Sequence, residues 1–114
     1  MNSRNKSILL GIAMLLGVAM AATQAEDVKA LYEKECAKCH GSDGKGDTKM
    51  GKKLGAKDYT DPGVLAKMKD DAAFKAIKEG LKDKADKTLM KPYSDLTDDQ
   101  IKSLVAFMRA FPKK

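Results

Sequence analysis

The chain has 114 residues, with 22 lysines and arginines against 16 aspartates and glutamates, a formal net charge of +6 and a single histidine. Its basic residues are spread along the chain rather than clustered among aromatic ones, which argues against nucleic-acid binding. The only two cysteines lie three positions apart, so a disulfide between them would close almost no loop and constrain little.

The first 25 residues read as an export signal. Arg4 and Lys6 give a basic start, Ile8 to Ala22 form an apolar run of 15 residues, and small residues follow before the acidic pair Glu26–Asp27. A secretory signal has this order, with an apolar stretch of about 7–15 residues. A retained membrane anchor is the rival reading, but a spanning helix needs about 20 apolar residues. Cleavage is placed after Ala25, where Thr23 and Ala25 have the spacing that suits signal peptidase, with the A-x-A site Ala19-Met20-Ala21 as the alternative, and the protein is expected in the periplasm. Removing Arg4 and Lys6 from the formal +6 leaves +4 on the remaining 89 residues, 26–114, which make one domain. So small a domain buries little apolar surface and commonly needs a staple such as a metal or a covalently held group.

Four helical segments and no strand are expected. The first runs from about Asp27 to Lys38, with Val28, Leu31, Tyr32 and Glu35 on one face and Gly41 as its stop. Gly41 to Asp61 holds five glycines and reads as a long irregular loop that wraps something. A short helix starts at Pro62 after an Asp61 or Thr60 cap, burying Leu65 and Met68. The next runs from about Asp71 to Glu79, with Ala73, Phe74 and Ile77 inward and Gly80 as its stop. Leu81 to Leu96 reads as loop and carries Met90 and Pro92. In the last helix Thr97 and Gln100 match a capping box, and Ile101, Leu104, Val105 and Met108 follow at i, i+3, i+4 and i+7.

Both cysteines and the only histidine fall within Cys36-Ala37-Lys38-Cys39-His40, the C-x-x-C-H attachment pattern of c-type haem. Two thiols about one helical turn apart can each add to a vinyl group on the porphyrin edge, which brings the adjoining imidazole beneath the ring. A thioredoxin-type C-x-x-C expects a βαβ pattern, and a zinc site wants three or four ligands spread around the ion. Neither expectation suits three neighbouring residues in an all-helical chain.

These residues resemble the class I c-type cytochromes, above all the small single-haem bacterial members. The resemblance covers essentially all of residues 26–114. It includes Leu31-Tyr32, the stretch Cys39 to Gly46, the loop Met90-Lys91-Pro92-Tyr93 and the terminal-helix start Leu96 to Ile101. It implies an all-α, cytochrome c-like domain of three to five short helices wrapped around one covalent haem c, with the first and last helices crossing. Carried over to this chain, Cys36 and Cys39 bind the haem covalently, His40 is the proximal ligand of the iron and Met90 the distal one. The motif starts about eleven residues after Ala25, which suits class I; the four-helix class II proteins carry it near the carboxyl end. Two features depart from the family pattern. Lys91 stands between the methionine and the proline, and no proline lies between His40 and Pro62 to accept the proton of the other histidine nitrogen. Pro62 or a backbone group around Gly51 takes that role.

Four methionines outside the signal compete as distal ligand. Met68 and Met108 lie on apolar helical faces, where methionine fills core. Met50 follows the haem motif closely, whereas Met90 lies in a loop fifty residues from His40 and is free to cross to the far side. A thioether ligand favours ferrous iron, so a His/Met pair raises the reduction potential. With both axial positions filled the chain is expected to be an electron carrier and not an enzyme. The alternative is a haem protein with an open sixth position, acting as ligand sensor or peroxidase-like enzyme. Lys38, Lys45, Lys49, Lys52, Lys53, Lys57, Lys87 and Lys91 are expected to rim the haem edge and meet redox donors and acceptors with acidic surfaces. The protein is expected to be monomeric, touching membranes only through its partner complexes.

Overall fold

The computed structural model describes residues 27–114; the expected signal peptide and both cleavage sites lie outside them. Six helical segments and one hairpin make up the described chain: α1 (residues 27–35), α2 (Ala37–His40), α3 (Lys49–Leu54), α4 (Pro62–Lys67), α5 (Asp70–Glu79), β1 (Leu81–Lys82), β2 (Thr88–Met90) and α6 (Asp98–Arg109). No helix among the described residues is long and apolar enough to cross a membrane.

The strongest periodicity yields the deepest burial. All four residues of the α6 stripe, Ile101, Leu104, Val105 and Met108, are buried, and Ile101 and Leu104 are almost wholly removed from solvent. The helix starts on the expected capping box. Thr97 Oγ1 accepts from Gln100 N (3.1 Å), and Gln100 Oε1 accepts from Thr97 N (2.9 Å). Against α6 lies the apolar face of α1, led by the fully buried Tyr32. The Tyr32 ring meets Phe107 in α6 at 4.8 Å, tilted by 39°, and Phe111 just past its end at 5.4 Å, edge-on, so aromatic contacts join the first and last helices. Gly44 belongs to the same junction, since a Cβ there would lie 2.5 Å from the Phe111 ring.

Asp61 caps α4 by accepting from Gly63 N (2.8 Å), with Pro62 at the first helical position. The helix buries Leu65 and ends at the half-buried Met68. α5 buries Ile77 and packs the half-buried Ala73 and Phe74 against the same core. Arg109 at the end of α6 bonds Asp70 (2.5 Å), Leu65 O (3.3 Å) and Met68 O, which ties the final helix to the α4–α5 corner.

Three expectations are corrected. The first helix is broken at Cys36 into α1 and α2. The Gly41–Asp61 segment is not one irregular loop, because it contains α3, capped by Thr48 Oγ1 accepting from Gly51 N (2.9 Å). With a glycine inside and only Met50 and Leu54 apolar, α3 is too short for a periodicity to betray it, and it is held by its contact with α2. The Leu81–Leu96 segment is not all loop either. β1 and β2 pair antiparallel in the register Leu81↔Met90 and Lys82↔Thr88, with a bulge between. Asp83 organises the turn, its Oδ1 accepting from Ala85 N (2.8 Å) and Lys87 N (2.9 Å), while Asp86 adopts φ +62°. The hairpin is short and largely exposed, so it shows no inward–outward alternation. These additions raise the helix count above the expected three to five and leave the all-helical class intact.

Two outcomes follow from this packing. Replacing Thr48 by valine keeps the shape and removes the α3 cap, which should lower the unfolding free energy by about 2 kcal/mol in urea titration. Tyr32 supplies a pH signature, since burial above all, with the neighbouring Cys36 next, pushes its phenol well above the usual 10.0. A raised acid favours the folded state fully below pH 10 and loses that contribution as pH climbs through the folded value. Tyr32→Phe should therefore be less stable at neutral pH yet show a shallower loss of stability above about pH 10, read as urea midpoint against pH.

Candidate haem-attachment site

The break at Cys36 takes Glu35 O out of the helical ladder, and the end of α2 at Gly41 leaves the carbonyls from Lys38 onward without helical partners; unpaired carbonyls are costly where they are buried. Each carbonyl from Glu35 to Gly41 nevertheless has a donor. Glu35 O accepts from the Tyr93 hydroxyl (2.8 Å). Cys36 O accepts from Cys39 N (3.3 Å) and His40 N (2.9 Å), and Ala37 O from Gly41 N (2.8 Å). The Thr48 hydroxyl shares its proton between Lys38 O (2.8 Å) and Cys39 O (3.0 Å). His40 O accepts from Gly46 N (2.8 Å), and Gly41 O from the Tyr32 hydroxyl (2.7 Å) and Gly44 N (3.1 Å). The segment is thus fixed from four separate parts of the chain.

Close approach makes this possible. A Cβ at Gly51 would stand 2.2 Å from Cys39 O, so only glycine lets α3 press against the end of α2. At Gly41, φ of +81° turns the chain out of the helix, the stop expected from the sequence.

Cys36 is buried within the main core, and Cys39 and His40 are half-buried beside it; both thiols are free. The His40 ring lies 5.2 Å from the buried Tyr59 ring, tilted by 33°. Burial lowers the His40 pKa, which keeps the imidazole neutral, the form that ligates metals. Its Nδ1 is buried with no hydrogen-bond partner. Neither Pro62 nor the backbone around Gly51 accepts from it, contrary to expectation. A neutral imidazole next to two free thiols one turn apart is a donor set suited to an iron porphyrin. Among the described residues no three His, Cys, Asp or Glu side chains gather to hold a metal ion by themselves, and no βαβ unit surrounds the cysteines. The zinc and thioredoxin alternatives therefore lack their structural context.

Met90 closes β2, half-buried and packed against the core cluster that contains Cys36. Its backbone runs so close to Gly80 that a Cβ there would lie 2.6 Å from Met90 O. Met68 is half-buried and Met108 buried in helix packing, as expected of core methionines. Met50 lies on α3 and lines an open groove of about 480 Å³ with Lys38, Thr48, Lys49 and Lys53. Reasoning from sequence missed Thr48 and Tyr93 as supports of the site. The only trace of Thr48 is a hydroxyl residue ahead of a lysine-rich stretch, and Tyr93 stood out only as part of the Met90 loop.

Comparison with known proteins agrees with the geometry. The cytochrome c family model matches residues 25–111. A solved structure described as the KustC0563 c-type cytochrome superposes with a TM-score of 0.65 at 35% identity, covering 75% of this chain and 96% of that one. A tyrosine mutant of the same protein superposes with a TM-score of 0.65 at 34% identity, covering 75% and 98%. Among curated proteins no match is found. The family carries covalently attached haem c, and Cys36 and Cys39 stand in the matching arrangement; this chain belongs to the cytochrome c family, as a small c-type cytochrome.

Proposed function

We propose that the chain is an exported single-haem electron carrier in which Cys36 and Cys39 form the thioether bonds and His40 and Met90 are the axial ligands. Family membership supplies haem-based electron transfer as the general activity. The finer reading is supported by one observation above the rest: the loop that carries Met90 is fastened to Glu35, the residue immediately before Cys36. Met90 and the attachment segment are thereby held in one frame, whereas Met50 belongs to α3 beneath α2 and faces an exposed groove.

When bound, the haem supplies a one-electron iron couple. The protein's part is to fix the ligands so that little moves as the charge changes. His40 is neutral and pinned through its backbone; Met90 offers a soft sulfur that favours the reduced metal. Apolar packing from Tyr59, Leu65 and the α6 stripe disfavours the extra positive charge of the oxidised state, which acts in the same direction. With both axial positions taken by protein, no site remains for a substrate, which supports a carrier over an enzyme.

Bacterial c-type cytochromes are typically exported, and the basic, apolar and small-residue order of residues 1–25 supports a periplasmic location. All eight lysines expected at the rim are exposed. Lys38 lies between the two cysteines and shares its groove with Lys49 and Lys53, which supports docking of acidic redox partners beside the attachment segment. Lys91 instead pairs with Glu35 at 3.9 Å.

Two measurements test this reading. The oxidised parent should show a weak far-red sulfur-to-iron band, and its reduced form should ignore carbon monoxide. Met90→Ala should lose the band, keep its haem and bind carbon monoxide. An unchanged band would transfer the ligand role to Met50, and a parent that binds carbon monoxide would favour the open-site reading. Oxidation by ferricyanide, an anion, should slow as salt rises and the screening length falls from about 30 Å at 0.01 M to about 8 Å at 0.15 M. A neutral oxidant should show no such slope, and a flat ferricyanide rate would remove the electrostatic component.

A further inference from the structure

Met90 is followed by Lys91-Pro92-Tyr93, and this short turn is fixed on two sides. Tyr93 N donates to Ile77 O (2.9 Å), which holds the turn to α5. The Tyr93 hydroxyl crosses to the other side and donates to Glu35 O (2.8 Å), 58 residues away. Glu35 lies at the end of α1, where the break at Cys36 leaves its carbonyl outside the regular ladder; Cys39 N bonds Cys36 O instead. A side chain from the Met90 turn therefore fills a bonding position created by the attachment segment. Lys91 reinforces the contact from outside, with its Nζ 3.9 Å from the Glu35 carboxylate and 5.0 Å from the Tyr93 ring centroid. The Lys91 side chain is 66% exposed, so this ion pair contributes little beside the half-buried hydroxyl bond.

We propose that Tyr93 is a positioning residue, whose hydroxyl latches the Met90 turn to the haem-attachment segment and so holds the methionine sulfur on the iron. The inference rests on His/Met ligation and assigns Tyr93 a role beyond core packing. The latch joins two main-chain segments through one aromatic ring, so its length is set by a rigid side chain. Phenylalanine at this position keeps the ring and the bond to Ile77 and removes only the link to Glu35. Without the link the turn has one anchor instead of two, and states with the sulfur off the iron become more populated. Neutral hydrogen bonds typically change such populations by about fivefold.

The test is a titration of ferric holoprotein with imidazole, which takes the sixth position only when the methionine has left, followed by loss of the far-red band. Apparent affinity rises in proportion to the methionine-off population. Tyr93→Phe should bind imidazole about fivefold more tightly than the parent. Glu35→Gln, which removes the ion pair and leaves the carbonyl, should stay within about twofold. Circular dichroism in urea, run in parallel, reports global stability, which a packing role alone would shift without altering imidazole affinity. Unchanged affinity in Tyr93→Phe, with the band present in the parent, overturns the latch and leaves His/Met ligation standing. An equal change in Glu35→Gln overturns it too, because the ion pair would then be the anchor. A parent without the band overturns the ligation and the latch together.

Discussion

The structure turns on hydrogen bonding to the backbone of the C-x-x-C-H segment. Thiols that must meet two points on one ring edge need a fixed separation, and a helix turn supplies it. Yet the helix is interrupted at Cys36, which strands the Glu35 carbonyl, and α2 ends at Gly41, which strands those from Lys38 onward. The donors come from elsewhere: Tyr32 in α1, Gly46 and Thr48 ahead of α3, and Tyr93 beyond the hairpin. Each of these segments is irregular or short when taken alone, and each acquires its place by bonding the same few residues. The long connections of the chain are therefore organised around the attachment segment rather than draped over a finished core.

The His40 ring shows the opposite treatment. Its backbone carbonyl is satisfied, whereas its buried Nδ1 has no partner. Leaving a buried polar atom unpaired costs about 1–3 kcal/mol, and natural proteins keep such atoms mainly where function requires them. Desolvation also disfavours the imidazolium, so the ring is held in the state that can donate a lone pair. In the proposed ligation Nδ1 carries the ring proton and the opposite ring nitrogen is the donor to the iron, so the unpaired Nδ1 marks a ring anchored through its backbone and not through its side chain.

Legibility in the sequence followed the range of the interactions involved. The start and the buried stripe of α6 were readable because its cap, Thr97 with Gln100, and its stripe, Ile101 to Met108, are local signals. α4 was readable through Asp61-Pro62, and the stop of α5 through Gly80, for the same reason. The C-x-x-C-H motif was equally plain, since its chemistry resides in adjacent residues. α3 was not, because six residues with only Met50 and Leu54 apolar and a glycine inside are too short to show a period, and it is set by Thr48 and the close approach of Gly51 to Cys39 O. The hairpin was hidden because its residues are mostly exposed and its turn depends on one aspartate, Asp83. The absence of an acceptor for His40 Nδ1 was also beyond reach, as it depends on where Pro62 and Gly51 finally lie. Local chemistry was legible, and long-range bonding was not.

The same division explains how so small a domain combines rigidity with a functional centre. Its compact apolar cluster is drawn mainly from α1, α4, α5 and α6, and it reaches the site directly through Cys36 and Tyr59. A ligand carried on the hairpin side needs a further fastening, because β1 and β2 are too short to be stable by themselves. Gly80 supplies part of it by letting the Met90 backbone lie against the end of α5. Tyr93 supplies the remainder by reaching the end of α1. The attachment segment and the Met90 turn are therefore fixed by different means: the first by a dense local network, the second by a few distant bonds. Since the distant bonds are fewer, the Met90 turn is the less firmly held of the two, so under the proposed His/Met ligation the methionine side is the half of the coordination that loosens first.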